Sequence, residues 1–173
     1  MARILSTLTT LLALAACGGP ERGGLEVRGL DVVVDSAAPF ARSGDLPARL
    51  ESTAEAALVY WGGSWADLDG YTLRLTDAAS VPCGGEASLG CTAGGEIAVV
   101  TADPGAGTFA CVEQTVLVHE IGHAVIGDPW HEDPRWMGFE PVAEALAGRA
   151  GYGADGPADC LITRSTWQHP GGR

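Results

Sequence analysis

The stretch "VLVHEIGHAVIGDPWHEDPRWM", residues 116–137, constrains this chain more than any other part of it. Residues 111–127 contain no proline, are mostly apolar and end on a glycine, long enough for a helix that a folded domain would bury. Into that run the sequence places His119, Glu120 and His123. Polar groups removed from water need partners, so these three demand an explanation. Positions i and i+4 share a helix face roughly 5–6 Å apart, which lets His119 and His123 offer both imidazoles to one ion. Shuffling the composition would produce His-Glu-x-x-His in only about one chain in two hundred, so coincidence is a weak account.

Two imidazoles do not make a catalytic metal site; a third protein ligand is normally needed. His131 is the candidate. Along a continuing helix it would sit about 18 Å beyond His119, out of reach. Gly127 can adopt the left-handed conformation that ends a helix, and Pro129 opposes its resumption, so the chain can turn back and present His131. Asp128, Asp133 and Glu144 remain alternatives for the third position. Zinc suits such a set, and Glu120, beside the first histidine, is placed to take a proton from a water that zinc makes acidic.

"HEIGHAVIGDPWHEDPRWM" resembles the metzincin zinc peptidases, and among them the matrixin-like members, whose pattern is H-E-x-x-H-x-x-G-x-x-H followed by a tight turn carrying a methionine. The resemblance implies zinc ligands at His119, His123 and His131, a general base at Glu120, the turn glycine at Gly127, and Met137 beneath the metal. It also implies a zincin architecture, with strands and one helix first, then the long active-site helix, the Met-turn and a C-terminal helix. Gly127 falls one residue late and His131 two residues late against that pattern, and one added residue rotates a helix exit by about 100°. The resemblance covers residues 116–138 only. A lone Met137 between Trp136 and Phe139 also fits as core filler.

Around this centre the chain reads as an α+β domain, a small mixed β-sheet packed against a few helices. "LDVVV" (30–34), "YTLRLT" (71–76) and "EIAVVT" (96–101) have the β-branched or alternating character of strands. "DLPARLESTAEAALVYW" (45–61) repeats its apolar residues at helical spacing, with Pro47 in the first turn, where its missing N–H is harmless. A third helix is expected over 138–151, and "DAASVPCGGEASLGCTAGG" (77–95) reads as a loop pinned by cysteines. The domain is taken as 25–173.

Residues 1–16 have the short apolar core of a signal peptide, and Leu14-Ala15-Ala16-Cys17 resembles a bacterial lipobox. Lipid on Cys17, followed by a flexible tether through residue 24, would hold the domain at the cell envelope, with Gly18 suggesting the outer membrane. Residues 1–16 carry one of the chain's 10 basic residues, Arg3, and none of its 22 acidic ones, which leaves nine against 22. That balance argues against nucleic acid or anionic lipid as partners, and its carboxylates are compatible with calcium. Lipid apart, four of the five cysteines remain, which allow three disulfide connectivities; Cys83–Cys91 with Cys111–Cys160 is favoured, and a zinc site of four thiolates competes less well because paired C-x-x-C knuckles are lacking. "VPCGG" (81–85) reads as a disulfide corner rather than a latency switch.

The expected function is a lipid-anchored, exported zinc endopeptidase, acting as a monomer on a protein or peptide laid along a sheet edge. Two other readings stay open: a catalytically silent, zinc-stabilised envelope module that binds a partner, and a zinc hydrolase of peptidoglycan or another non-protein amide.

Overall fold

A computed structural model describes residues 24–35, 46–101 and 111–139, with residues 111 and 112 described in backbone only. The signal peptide, Cys17, the tether up to residue 23, the expected helix over 138–151 from residue 140 onward, Glu144 and Cys160 lie outside these residues. Among them the fold is α+β, with seven strands and two long helices. Strands β1 (Leu25–Val27), β2 (Leu30–Val34), β3 (Thr72–Thr76), β6 (Gly90–Ala93) and β7 (Glu96–Val100) form one mixed sheet in the order β1-β2-β3-β7-β6. The central pairs β2–β3 and β3–β7 are parallel, and the two outer pairs are antiparallel. Helix α1 (Leu46–Trp61) joins the parallel β2 and β3, as a parallel pair requires. Helix α2 (Cys111–Ile126) follows β7.

Both helices lie on one face of the sheet. Val32, Leu73, Leu75, Ile97 and Val99 meet Leu50, Ala57, Leu58 and Trp61 from α1 and Leu117, Val118 and Ile121 from α2 in one buried cluster. The alternation of strand side chains explains the second cluster: Ala98 and Val100 point the other way and pack with Val81 and Cys91. Val81 belongs to β4 (Val81–Cys83), which pairs with β5 (Glu86–Ser88) in a separate hairpin against the back of the sheet edge. Residues 77–95, expected to be a loop, therefore carry three short strands. The missed signal is the pair of Gly-Gly turns: Gly84 and Gly85, and again Gly94 and Gly95, hold the positive φ that two-residue hairpins need.

The disulfide Cys83–Cys91 forms as expected, with Cα atoms 5.4 Å apart, and fastens β4 to the edge strand β6. Among the described residues no helix is long and apolar enough to cross a membrane.

Candidate metal centre and cleft

Helix α2 is buried nearly all round, from residue 113 to residue 122, because it is packed between α1, the β6–β7 edge and the returning chain. Trp61 fixes the approach of α1. Its indole N–H donates to the Val118 carbonyl at 2.8 Å, and its ring crosses so close to Gly122 that a Cβ there would lie 2.6 Å from it. The glycine inside the His-Glu-x-x-His motif is thus a packing requirement.

The helix ends where the sequence places a terminator. Gly127 takes φ +64 and its N–H still donates to the His123 carbonyl, 2.9 Å away. Asp128 then organises the reversal. One carboxylate oxygen accepts from the Trp130 N–H (3.0 Å), the other from the Asp133 N–H (2.7 Å) and the Trp136 indole (3.1 Å). These donors hold its pKa below the usual carboxylate value. Asp133 caps the 3-10 turn Pro134–Trp136 and grips Arg135 at 2.7 Å, which lowers its pKa to about 2. Arg135 also donates to the Trp61 carbonyl, and Tyr60 donates to the Arg135 carbonyl, so the loop is tied to the end of α1. Both aspartates considered as third ligands are engaged in this scaffold.

The reversal delivers His131. Its Nε2 lies 3.3 Å from that of His119 and 3.1 Å from that of His123, and those two are 3.1 Å apart. A tetrahedral zinc ion with Zn–N of about 2.0–2.1 Å spaces its nitrogens about 3.3–3.4 Å apart, so the triangle has the right size. The proton inventory agrees. His123 Nδ1 is 2.8 Å from the Asp128 carbonyl, an acceptor only, so that nitrogen carries the hydrogen and a neutral ring directs the Nε2 lone pair inward. Burial lowers the His123 pKa and favours that neutral form. His119, His123 and His131 would hold a cation through these three nitrogens. Among the described residues these three histidines are the one group of three or more side chains placed to hold a metal ion; the carboxylates form no second such group for calcium.

His131 reaches this place with φ +58, a left-handed conformation that costs a non-glycine residue on the order of 1–2 kcal/mol. Met137 is not beneath the histidines: its side chain is 86% exposed. The ring packed there is Trp136, with centroids 4.9 Å from His119 and His123 and 4.4 Å from His131. The reason is register, since the 3-10 turn stops at Met137 and leaves Trp136 facing the site, with Phe139 behind it, 5.3 Å from the His119 ring.

Glu120, the next residue along α2 after His119, is only 4% exposed and lies against the edge strand. Its carboxylate Oε2 lies 2.8 Å from the Thr92 hydroxyl, which is also 2.9 Å from the Glu120 backbone carbonyl. One hydroxyl has one proton to give: to a charged Glu120 carboxylate, or to the carbonyl while a protonated Glu120 donates to Thr92 Oγ1. Burial, only partly offset by Thr92, pushes the Glu120 pKa up to about 7. Opposite Oε1 is Gly90, where a Cβ would come within 2.4 Å of that oxygen.

His119, Glu120, His123 and His131 all open onto one cleft of about 690 Å³. Its wall is β6 and the covalently pinned hairpin, and its other side chains are small or uncharged, among them Ala79, Ser88, Leu89, Thr92 and Val116. The chain matches no protein-family model, no curated protein and no solved structure. Its chemistry must be read from its own residues.

Cys83 and Cys91 pair, Cys111 begins α2 with its side chain outside the described residues, and its expected partner Cys160 lies outside them altogether. Thr92, Gly90, Gly122 and Trp136 were not singled out by sequence; the first two carry no motif and depend on β6 crossing α2.

Proposed function

We propose that this chain is an exported, zinc-dependent endopeptidase of matrixin-like architecture, held at the bacterial envelope through Cys17. The observation that carries the reading is the convergence of three imidazoles with a buried carboxylate on the same cleft. His119, His123 and His131 would hold the zinc; three neutral nitrogen donors suit that ion. Bound there, zinc would supply Lewis acidity and bring the pKa of water toward neutrality. Glu120, poised near pH 7, takes the proton of the attacking water and returns it to the departing amine. Asp128 keeps His123 in one tautomer, and the Trp136 ring shields the imidazoles from solvent.

The peptide is best accommodated as an added strand on β6. In the β6–β7 ladder Leu89 carbonyl accepts from Val100, so the antiparallel alternation turns the backbone groups of Gly90 and Thr92 away from β7. The small residues beside them leave room for an extended chain.

Metal analysis of the purified protein, with cleavage of an unstructured protein substrate by wild type and Glu120→Gln, tests the proposal. One zinc per chain and a loss of at least about 100-fold in Glu120→Gln with zinc retained are expected. Equal cleavage by both forms excludes Glu120 as base. Zinc without cleavage by either identifies a silent binding module, or a hydrolase of another amide if peptidoglycan is cut instead.

A further inference from the structure

We infer that the edge strand does more than receive substrate: Gly90 and Thr92 form a seat that fixes the Glu120 carboxylate, and Thr92 is a positioning residue for proton transfer. The inference rests on the reading of Glu120 as the base.

Glu120 lies on α2, yet the hydrogen bond at the end of its side chain comes from another element, β6. Its carboxylate is held from across the cleft. Thr92 Oγ1 meets Oε2 at 2.8 Å, and the bare Cα of Gly90 admits Oε1 and Cγ, both of which would be under 3 Å from any added Cβ. Val116, one turn back on α2, closes the same gap at 2.7 Å from that position. A carboxylate confined on one side by backbone and on another by a hydrogen bond has one rotamer available. The Thr92 hydroxyl lies within hydrogen-bond reach of both Oε2 and the Glu120 backbone carbonyl, and so ties the end of the side chain to β6. A base that takes a proton and later returns it benefits from not moving between the two steps.

Between the two seat residues stands Cys91, bonded to Cys83 in the hairpin behind. Its side chain points to the opposite face of the strand and packs with Val81, Ala98 and Val100. The disulfide therefore anchors β6 at the residue between the two that hold Glu120. The sequence "GCT" (90–92) reads as one device: space, anchor, hydrogen bond.

The test compares Thr92→Val, which is isosteric but lacks the hydroxyl, with Thr92→Ser, which restores it, in the full chain. Zinc affinity is measured by chelator competition, steady-state kinetics with an unstructured substrate, and the Glu120 rotamer in crystals of the metal-free variants. Expected are a fall in kcat of about 10- to 100-fold in Thr92→Val with KM and zinc affinity unchanged, and recovery to within a few-fold in Thr92→Ser. Glu120 should leave Gly90 in the first variant and stay in the second. Full kcat in Thr92→Val with wild-type active, or an unmoved Glu120 in its crystals, overturns the inference. An inactive wild type defeats the peptidase reading instead, and the crystallographic comparison still decides the seat. Gly90→Ala, whose Cβ intrudes on Oε1, must reproduce the kcat loss at unchanged zinc affinity; full kcat there also overturns the inference.

Discussion

Replacing Glu120 by Gln should stabilise the metal-free protein, by an amount that depends on pH in a defined way. Burial raises the Glu120 pKa from 4.5 to about 7 in the folded state. Between those values the native protein holds a proton that the unfolded chain has released, so stability is fully present below pH 4.5 and falls as pH rises toward 7. The difference corresponds to about 3 kcal/mol, reached above pH 7. Glutamine fills nearly the same volume, can accept from Thr92 and has no charge to desolvate. The two proteins should be close in stability near pH 4.5, and the variant should exceed wild type by about 3 kcal/mol at pH 8, a shift of roughly 1–2 M in urea midpoint. His123, whose pKa is lowered by burial, imposes the opposite slope below its unfolded value, but it does so in both proteins and cancels in the comparison. Urea unfolding with chelator at several pH values measures the effect. A stability difference that stays constant from pH 4.5 to pH 8 would refute the desolvated carboxylate. With zinc bound, the nearby cation favours the charged form, so the advantage should shrink.

The other expectations concern the scaffold. His131→Ala should weaken zinc binding by more than about 100-fold, since losing even an outer partner of a ligand costs 10- to 100-fold; an unchanged affinity by chelator competition would remove His131 from the site. Gly122→Ala places a Cβ 2.6 Å from Trp61 and 2.8 Å from Trp136, and should destabilise by about 1–3 kcal/mol in chemical denaturation, with wild-type stability arguing that the α1–α2 packing is looser than described. Replacing both Cys83 and Cys91 by Ser should cost about 2–3 kcal/mol by the loop-closure argument for a sequence separation of 8, read as a lowered urea midpoint.

What was legible from sequence followed local rules. The apolar spacing of 45–61 gave α1 to within a residue, because burial on one face is written in the order of side chains. The strand over 30–34 and the helix stop at Gly127 follow equally local chemistry, branched side chains in one case and a left-handed glycine in the other. The hairpin β4–β5 escaped because three-residue strands carry too little alternation to rise above a glycine-rich stretch, although Gly84–Gly85 marked its turn. The approach of β6 to α2 was out of reach altogether. Thr92 is 28 residues from Glu120, and only the β6–β7 register brings its hydroxyl to the carboxylate.

Seven residues separate the second and third histidines, and the chain still returns to close the site. A longer exit from α2 would carry the chain away, so the return must be tighter than a loop of polar residues would make it. Asp128 supplies the tightening: its side chain gathers the N–H groups of Trp130 and Asp133 and the Trp136 indole, while its carbonyl orients His123. His131 completes the turn in a left-handed conformation, which unbranched residues tolerate better than branched ones. Trp136, and not the exposed Met137, packs on the site, and its flat ring lies against all three imidazoles. Asp128→Ala should therefore damage the centre without removing a ligand. The loop loses three side-chain hydrogen bonds, His131 loses the frame that offsets its strain, and zinc affinity should fall by about 10- to 100-fold. Asparagine, able to accept at one oxygen only, should fall between the two. Chelator competition across the series measures the ranking, and an alanine variant that binds zinc like wild type would show that the metal, and not Asp128, shapes the return.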